Sequence, residues 1–150
     1  MFDKTKVLPI ASDHGGFEMK EYIKKELILL GYNIKDYGTF SEYSVDYPDY
    51  IHPISSAVNK GEFDLAIILC GSGNGAQITA NKYPNVRAGL CWNIEQAKLI
   101  RLHNNANILS IPGRFVNFNL GLDIAKTFLF TNFEGGRHQQ RVDKISKLEK

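Results

Sequence analysis

The chain has 150 residues, 43% hydrophobic and 23% charged, with a net charge of +2. That is enough apolar surface for one packed domain over residues 1–150 and too much for a disordered chain. No apolar run approaches the ~20 residues that cross a bilayer and the opening residues do not resemble a signal peptide, so a cytoplasmic protein without a membrane partner is expected.

Residues 7–11 (VLPIA) form a short apolar run that enters Ser12-Asp13-His14-Gly15-Gly16, a strand followed by a loop. Pro9 lacks an N–H for a sheet ladder, which suggests an edge strand or a bulge. Phe17, Lys20, Ile23, Leu27 and Leu30 recur at helical spacing and Gly31 stops the helix. Residues 32–37 alternate as a second strand, and a polar, tyrosine-rich loop runs from 38 to 49. Ile51, Ile54 and Val58 then mark a helix, with Pro53 in its first turn and Gly61 at its end.

Residues 65–70 (LAIILC) are continuously apolar, the pattern of a parallel strand covered on both faces. They lead into Gly71-Ser72-Gly73-Asn74-Gly75 and a short helix over 76–81. A strand over 86–91, a helix over 94–102 and a strand over 108–111 continue the alternation. Leu120, Ile124 and Phe128 mark another helix, Gly135-Gly136 interrupts it, and a basic amphipathic helix over about 137–150 closes the chain with Val142, Ile145 and Leu148 on one face. Five strands alternating with helices predict an α/β fold: a three-layer, Rossmann-like domain with a five-stranded, mostly parallel sheet.

Ligands of such sheets bind beyond the carboxyl ends of the strands. Asp13, His14, Cys70, the glycine loop, His103, Asn104 and Arg114 are expected on that one rim. The backbone N–H groups of 71–75 suit an anion. The same residues match G-x-G-x-x-A through Gly71, Gly73 and Ala76, so a dinucleotide-binding turn and a plain tight turn stay open beside the anion cradle.

Cys70, at a strand end beside those N–H groups, suits a reactive thiol, whereas Cys91 reads as packing. Cysteine spacing suggests neither a zinc site nor a disulfide. His103 is a candidate general acid, because imidazole exchanges protons near neutral pH. Asp13 is a candidate cap for the first helix, and His52 has no assigned function.

Arg137 and Arg141, four apart on a helix, present two guanidinium groups to one phosphate. Residues 137–150 hold five basic and two acidic side chains without Phe, Tyr or Trp, and residues 1–136 hold 13 basic and 14 acidic. That distribution suits a small anion better than nucleic acid.

Residues 12–16 (SDHGG), 46–48 (DYP), 70–75 (CGSGNG), 80–82 (ANK), 101–104 (RLHN) and 134–141 (EGGRHQQR) together resemble the ribose-5-phosphate isomerase B family of sugar-phosphate isomerases. The likeness runs from residue 7 to about 145. It implies interconversion of ribose 5-phosphate and ribulose 5-phosphate through an enediolate, with no cofactor and no metal.

By the same likeness Cys70 is the catalytic base and His103 the group that opens the furanose ring. Ser72 is the third catalytic residue that the likeness implies, keeping the hydroxyl that many members supply from threonine. Asp13, His14, Gly71, Gly73, Asn74, Gly75 and Asn104 contact substrate, and Arg114, Arg137 and Arg141 surround the phosphate. The resemblance further implies a homodimer, or a tetramer, whose pockets borrow residues from a neighbouring subunit. Relatives acting on galactose 6-phosphate or allose 6-phosphate share the scaffold, so a hexose-phosphate isomerase is the alternative. A non-catalytic nucleotide- or phosphate-binding module is the other.

Overall fold

Alternation along a strand sends neighbouring side chains to opposite faces, and β3 (Ala66–Cys70) shows what that does in this chain. Its Ala66, Ile68 and Cys70 join one buried cluster, while Ile67 and Leu69 join another. Both faces are therefore covered, as the continuous apolar run predicts. This description comes from a computed structural model and covers residues 1–147.

The remaining elements are β1 (Val7–Ser12), α1 (Phe17–Leu29), β2 (Asn33–Asp36), α2 (Tyr47–Asn59), α3 (Asn74–Ala80), β4 (Ala88–Leu90), α4 (Ile94–Asn104), β5 (Ile108–Pro112), α5 (Phe118–Phe130) and α6 (Arg137–Ile145). All sheet pairings are parallel, in the order β2-β1-β3-β5-β4. On one face Met19, Ile23 and Leu27 of α1, Ala97 of α4 and Ile124 and Phe128 of α5 close over the sheet. On the other, Ile51, Ile54 and Val58 of α2 and Ala76 and Ala80 of α3 do so. The expected three-layer α/β fold is the observed one, with a fully parallel sheet.

Three local expectations are corrected. Pro9 lies in an interior strand, flanked by β2 and β3. Pairing of β1 with β3 starts one residue later, at Ile10↔Ile67, so the missing N–H falls where that ladder begins. Pro53 is inside α2, not in its first turn, because the helix starts earlier, at Tyr47 with Pro48 behind it. Proline suits that first-turn position, where the N–H has no helical partner. The closing helix spans Arg137–Ile145, so the expected helix ends before Ser146 and Lys147, and Leu148 and the two residues after it lie outside the described residues.

Strand order reverses between β1 and β3, and this is where a crevice opens at the carboxyl edge of an α/β sheet. Asp13 and His14 leave β1 on one side of it and Cys70-Gly71 leave β3 on the other, with the Asp13 N–H donating to the Leu69 carbonyl at 3.4 Å. The other end of the sheet receives α4, which runs back from β4 and delivers its last turn to the amino end of β5.

Candidate active site

At the carboxyl rim the backbone is fixed by hydrogen bonds that converge on the glycine turn. Gly73 has φ +74, and a Cβ there would come within 2.4 Å of Leu90 Cδ1 and 3.1 Å of the Pro112 nitrogen, so only glycine fits. Its carbonyl accepts from the buried Ser110 hydroxyl at 2.7 Å. The Gly113 N–H donates to the Cys70 carbonyl at 2.9 Å and the Arg114 N–H to the Gly71 carbonyl at 3.0 Å. These bonds hold the Arg114 guanidinium over Gly71 and Gly15.

The side chains of the rim are held as firmly. Asp13 is buried, and its carboxylate accepts the Gly16 N–H at 3.0 Å, just ahead of α1. His14 Nδ1 meets the Val45 backbone, 3.1 Å from its nitrogen and 3.2 Å from its carbonyl oxygen. Ser72 is exposed and accepts the Asn74 N–H at 3.3 Å. A cavity of about 300 Å³ opens between His14, Gly15, Glu18, Glu42, Gly113 and Arg114. Cys70 sits behind this rim, 4% exposed, within the apolar layer under α2 and α3. Cys91 is packing, as expected: it is 1% exposed and burial pushes its thiol up to about 12.

His103 and Asn104 are not on that rim. They occupy the last turn of α4, ahead of β5, whereas Cys70 is level with Pro112 at the far end of that strand. Four steps of about 3.3 Å separate the two levels, roughly 13 Å of strand. The expectation of one assembled rim fails within a single chain, because a helix that follows a parallel strand must return to the amino edge. Arg137 and Arg141 go with His103, not with Arg114: α6 packs beside α4, and both arginines are exposed on it.

Two residues that sequence reasoning left without a role sit in this second cluster. Gly135 and Gly136, both at positive φ, turn the chain so that α6 starts against α4. The His138 ring then stacks on His103 at 4.2 Å between centroids and 16° between planes. The Glu134 carboxylate lies 3.7 Å from His138 Nε2 and 4.0 Å from His103 Nε2. Tyr47 was also missed; its ring covers Gly75, where a Cβ would approach it to 2.6 Å. The 46–48 and 134–141 motifs were visible in the sequence, but nothing in their spacing named these side chains.

The candidate residues fall into two groups at opposite ends of one sheet: the Cys70 thiol and the glycine turn at the carboxyl end, the His103 imidazole, Arg137 and Arg141 at the amino end. Residues 8–145 match the family model described as Ribose/Galactose Isomerase. The chain belongs to that family. It is 43% identical to a putative sugar phosphate isomerase of Bacillus subtilis, over 93% of this chain and 95% of that protein. It is 40% identical to ribose-5-phosphate isomerase B of Escherichia coli, over 96% and 97%.

Among solved structures, a ribose 5-phosphate isomerase from Thermotoga maritima superposes with a TM-score of 0.92 at 47% identity, covering 95% of this chain and 98% of that one. Ribose-5-phosphate isomerase B from Mycoplasma genitalium, solved with bound ribulose 5-phosphate, does so at 0.89 and 40% identity, covering 94% of each. Among the described residues, no helix is long and apolar enough to cross a membrane.

Proposed function

We propose that this member of the Ribose/Galactose Isomerase family interconverts ribose 5-phosphate and ribulose 5-phosphate. The proposed pocket joins the carboxyl rim of one chain to the α4–α6 cluster of a second copy. The observation that carries the shared pocket is the separation of Cys70 from His103 within one chain. Exposed aromatics near the rim, Phe40, Tyr43 and Phe115, support such pairing, since apolar rings in water favour an interface. Two free, buried cysteines fit work in a reducing cytoplasm.

In the proposed reaction His103 of one copy gives a proton to the furanose ring oxygen, freeing the aldehyde. Cys70 of the other removes the C2 proton, and the electron pair moves through C1–C2 onto the carbonyl oxygen to give the enediolate. The O2 proton then passes to O1, and reprotonation at C1 leaves the carbonyl at C2 and completes the ketose. Negative charge on the enediolate oxygen meets the backbone N–H groups of residues 71–75, each worth about 3 kcal/mol where such donors are preplaced. Asp13, His14 and Asn104 are assigned to the sugar hydroxyls, and Arg114, Arg137 and Arg141 to the phosphate. Ser72 fixes the turn through Asn74.

Incubation of the purified protein with ribose 5-phosphate tests the assignment. Formation of ribulose 5-phosphate, with a higher kcat/KM than for allose 6-phosphate or galactose 6-phosphate, supports it. No turnover of the pentose contradicts it, and preferred turnover of a hexose 6-phosphate moves the protein to the other branch of the scaffold. Tight NAD or AMP binding with no turnover of any sugar phosphate would make it a binding module.

A further inference from the structure

The Glu134–His103–His138 cluster contains more than ring opening by His103 requires. His138 is 6% exposed, and its Nε2 has no hydrogen-bond partner among the described residues. It faces the Glu134 carboxylate at 3.7 Å and stacks on the ring that the proposed reaction uses as acid. The three ligand-type atoms lie within 4.8 Å of one another. They are nevertheless poorly aimed for a metal ion, since an imidazole lone pair lies in its ring plane. Two stacked planes only 16° apart share no nearby point where one ion could meet both.

The geometry instead suits a single proton. A carboxylate close to two imidazole nitrogens stabilises one imidazolium, while like charge on both stacked rings is costly. Burial, then the neighbouring His103, and then Arg137 and Arg141 hold the His138 imidazole below its ordinary range, against the opposing pull of Glu134. Charge is thus disfavoured on His138, which packs against the His103 ring, itself partly open to solvent. The Glu134 N–H donates to the Leu102 carbonyl at 3.1 Å, tying the carboxylate to the turn that carries His103.

We propose that Glu134 and His138 are positioning residues for ring opening: Glu134 places a counter-charge beside the His103 ring, and His138 is the flat wall that fixes that ring. This rests on the isomerase reading above, and it predicts an effect in one direction only. Ribose 5-phosphate is a furanose and must be opened. Ribulose 5-phosphate carries phosphate on its C5 oxygen, the atom a ketofuranose would need, and so arrives open-chain.

The test measures the parent, Glu134→Gln, Glu134→Asp and His138→Phe in two assays: turnover of ribose 5-phosphate, and uptake of solvent deuterium at C1 of ribulose 5-phosphate. For Glu134→Gln, kcat from ribose 5-phosphate is expected to fall about tenfold or more at little change in KM, part of the ~10²–10⁴-fold that a placed acid contributes. Deuterium uptake is expected to stay within about twofold of the parent, since enediolate formation does not use that acid. Glu134→Asp, which keeps the charge, recovers part of the loss. His138→Phe, which keeps a neutral flat ring, is milder than Glu134→Gln.

Equal loss in both assays, or none in either, overturns the positioning role while leaving the isomerase assignment intact. A parent protein inactive in both assays overturns the isomerase assignment and this role with it.

Discussion

The two ends of the sheet are built differently. At the carboxyl end hydrogen bonds tie the groups down: Asp13 by the Gly16 N–H, His14 by the Val45 backbone, the glycine turn by the Ser110 hydroxyl and the Arg114 backbone by its bond to Gly71. At the amino end the groups stand on helix surfaces and on the connection before α6, with Asn104, Glu134, Arg137 and Arg141 exposed and the His103 ring stacked on His138. In the proposed function the first end receives the anion. The second presents two arginines and the His103 imidazole, and in the same proposal it gains a task only when something docks against it. In our account that something is the carboxyl end of another copy.

The largest expected effect separates the two ends chemically. Cys70→Ala is expected to abolish turnover in both directions, by roughly 10²–10⁴-fold, while the protein stays folded. His103→Asn is expected to act mainly from the ribose side. If the two variants lost the same activity in both directions, the division of labour between the ends would be wrong.

Next in size is the buried brace beside the carboxyl end. Lys20 is 0% exposed and meets Asp36 at 2.6 Å, and Asp36 also holds Lys24 and accepts the Gly38 N–H. Asp36→Ala leaves a buried lysine without its closest partner, and a loss of about 3–5 kcal/mol by urea denaturation is expected. Burial alone would push the Asp36 carboxyl up, but Lys20, Lys24 and the Gly38 N–H outweigh it and hold the group low.

A carboxyl depressed in the fold contributes stability that is complete above its unfolded value of ~4 and is lost as pH falls through its folded value. Stability is therefore expected to hold at neutral pH and to fall below pH ~4, less steeply in Asp36→Ala than in the parent.

Gly73→Ala comes third, since it forces a methyl into Leu90 and Pro112 at positive φ. A cost of about 2–3 kcal/mol is expected, with loss of activity from a displaced turn. The smallest effects compare the ends directly. Arg114→Ala and Arg141→Ala each remove one charged donor, so a KM increase of about tenfold or more is expected for either, with kcat changed less. A change in KM for one alone would place the phosphate at one end only.

The alternation of elements was legible because it rests on local patterns: the 65–70 apolar run, the helical spacing of Phe17 to Leu27, and glycines where helices stop. The glycine turn was legible for the same reason, since its residues are contiguous and its positive φ demands glycine. The level of His103 along the sheet was misread by taking its place just before β5 as a place on the rim. Strand direction puts a residue that precedes a parallel strand at the opposite edge. The His103–His138 stack was hidden because 35 positions separate the two rings in sequence, and only the turn at Gly135-Gly136 brings them together. The start of α2 was missed because Pro53 was read as its first-turn proline when Pro48 has that role.

Mixing two inactive variants tests the central claim most directly. Cys70→Ala and His103→Asn proteins, unfolded together and refolded at equal concentration, are expected to recover about a quarter of parental activity on ribose 5-phosphate. Half of the dimers are then mixed, and each mixed dimer holds one site intact at both ends. Activity no greater than the sum of the two variants refolded separately, in a mixture shown to contain mixed dimers, would contradict a pocket shared between two copies.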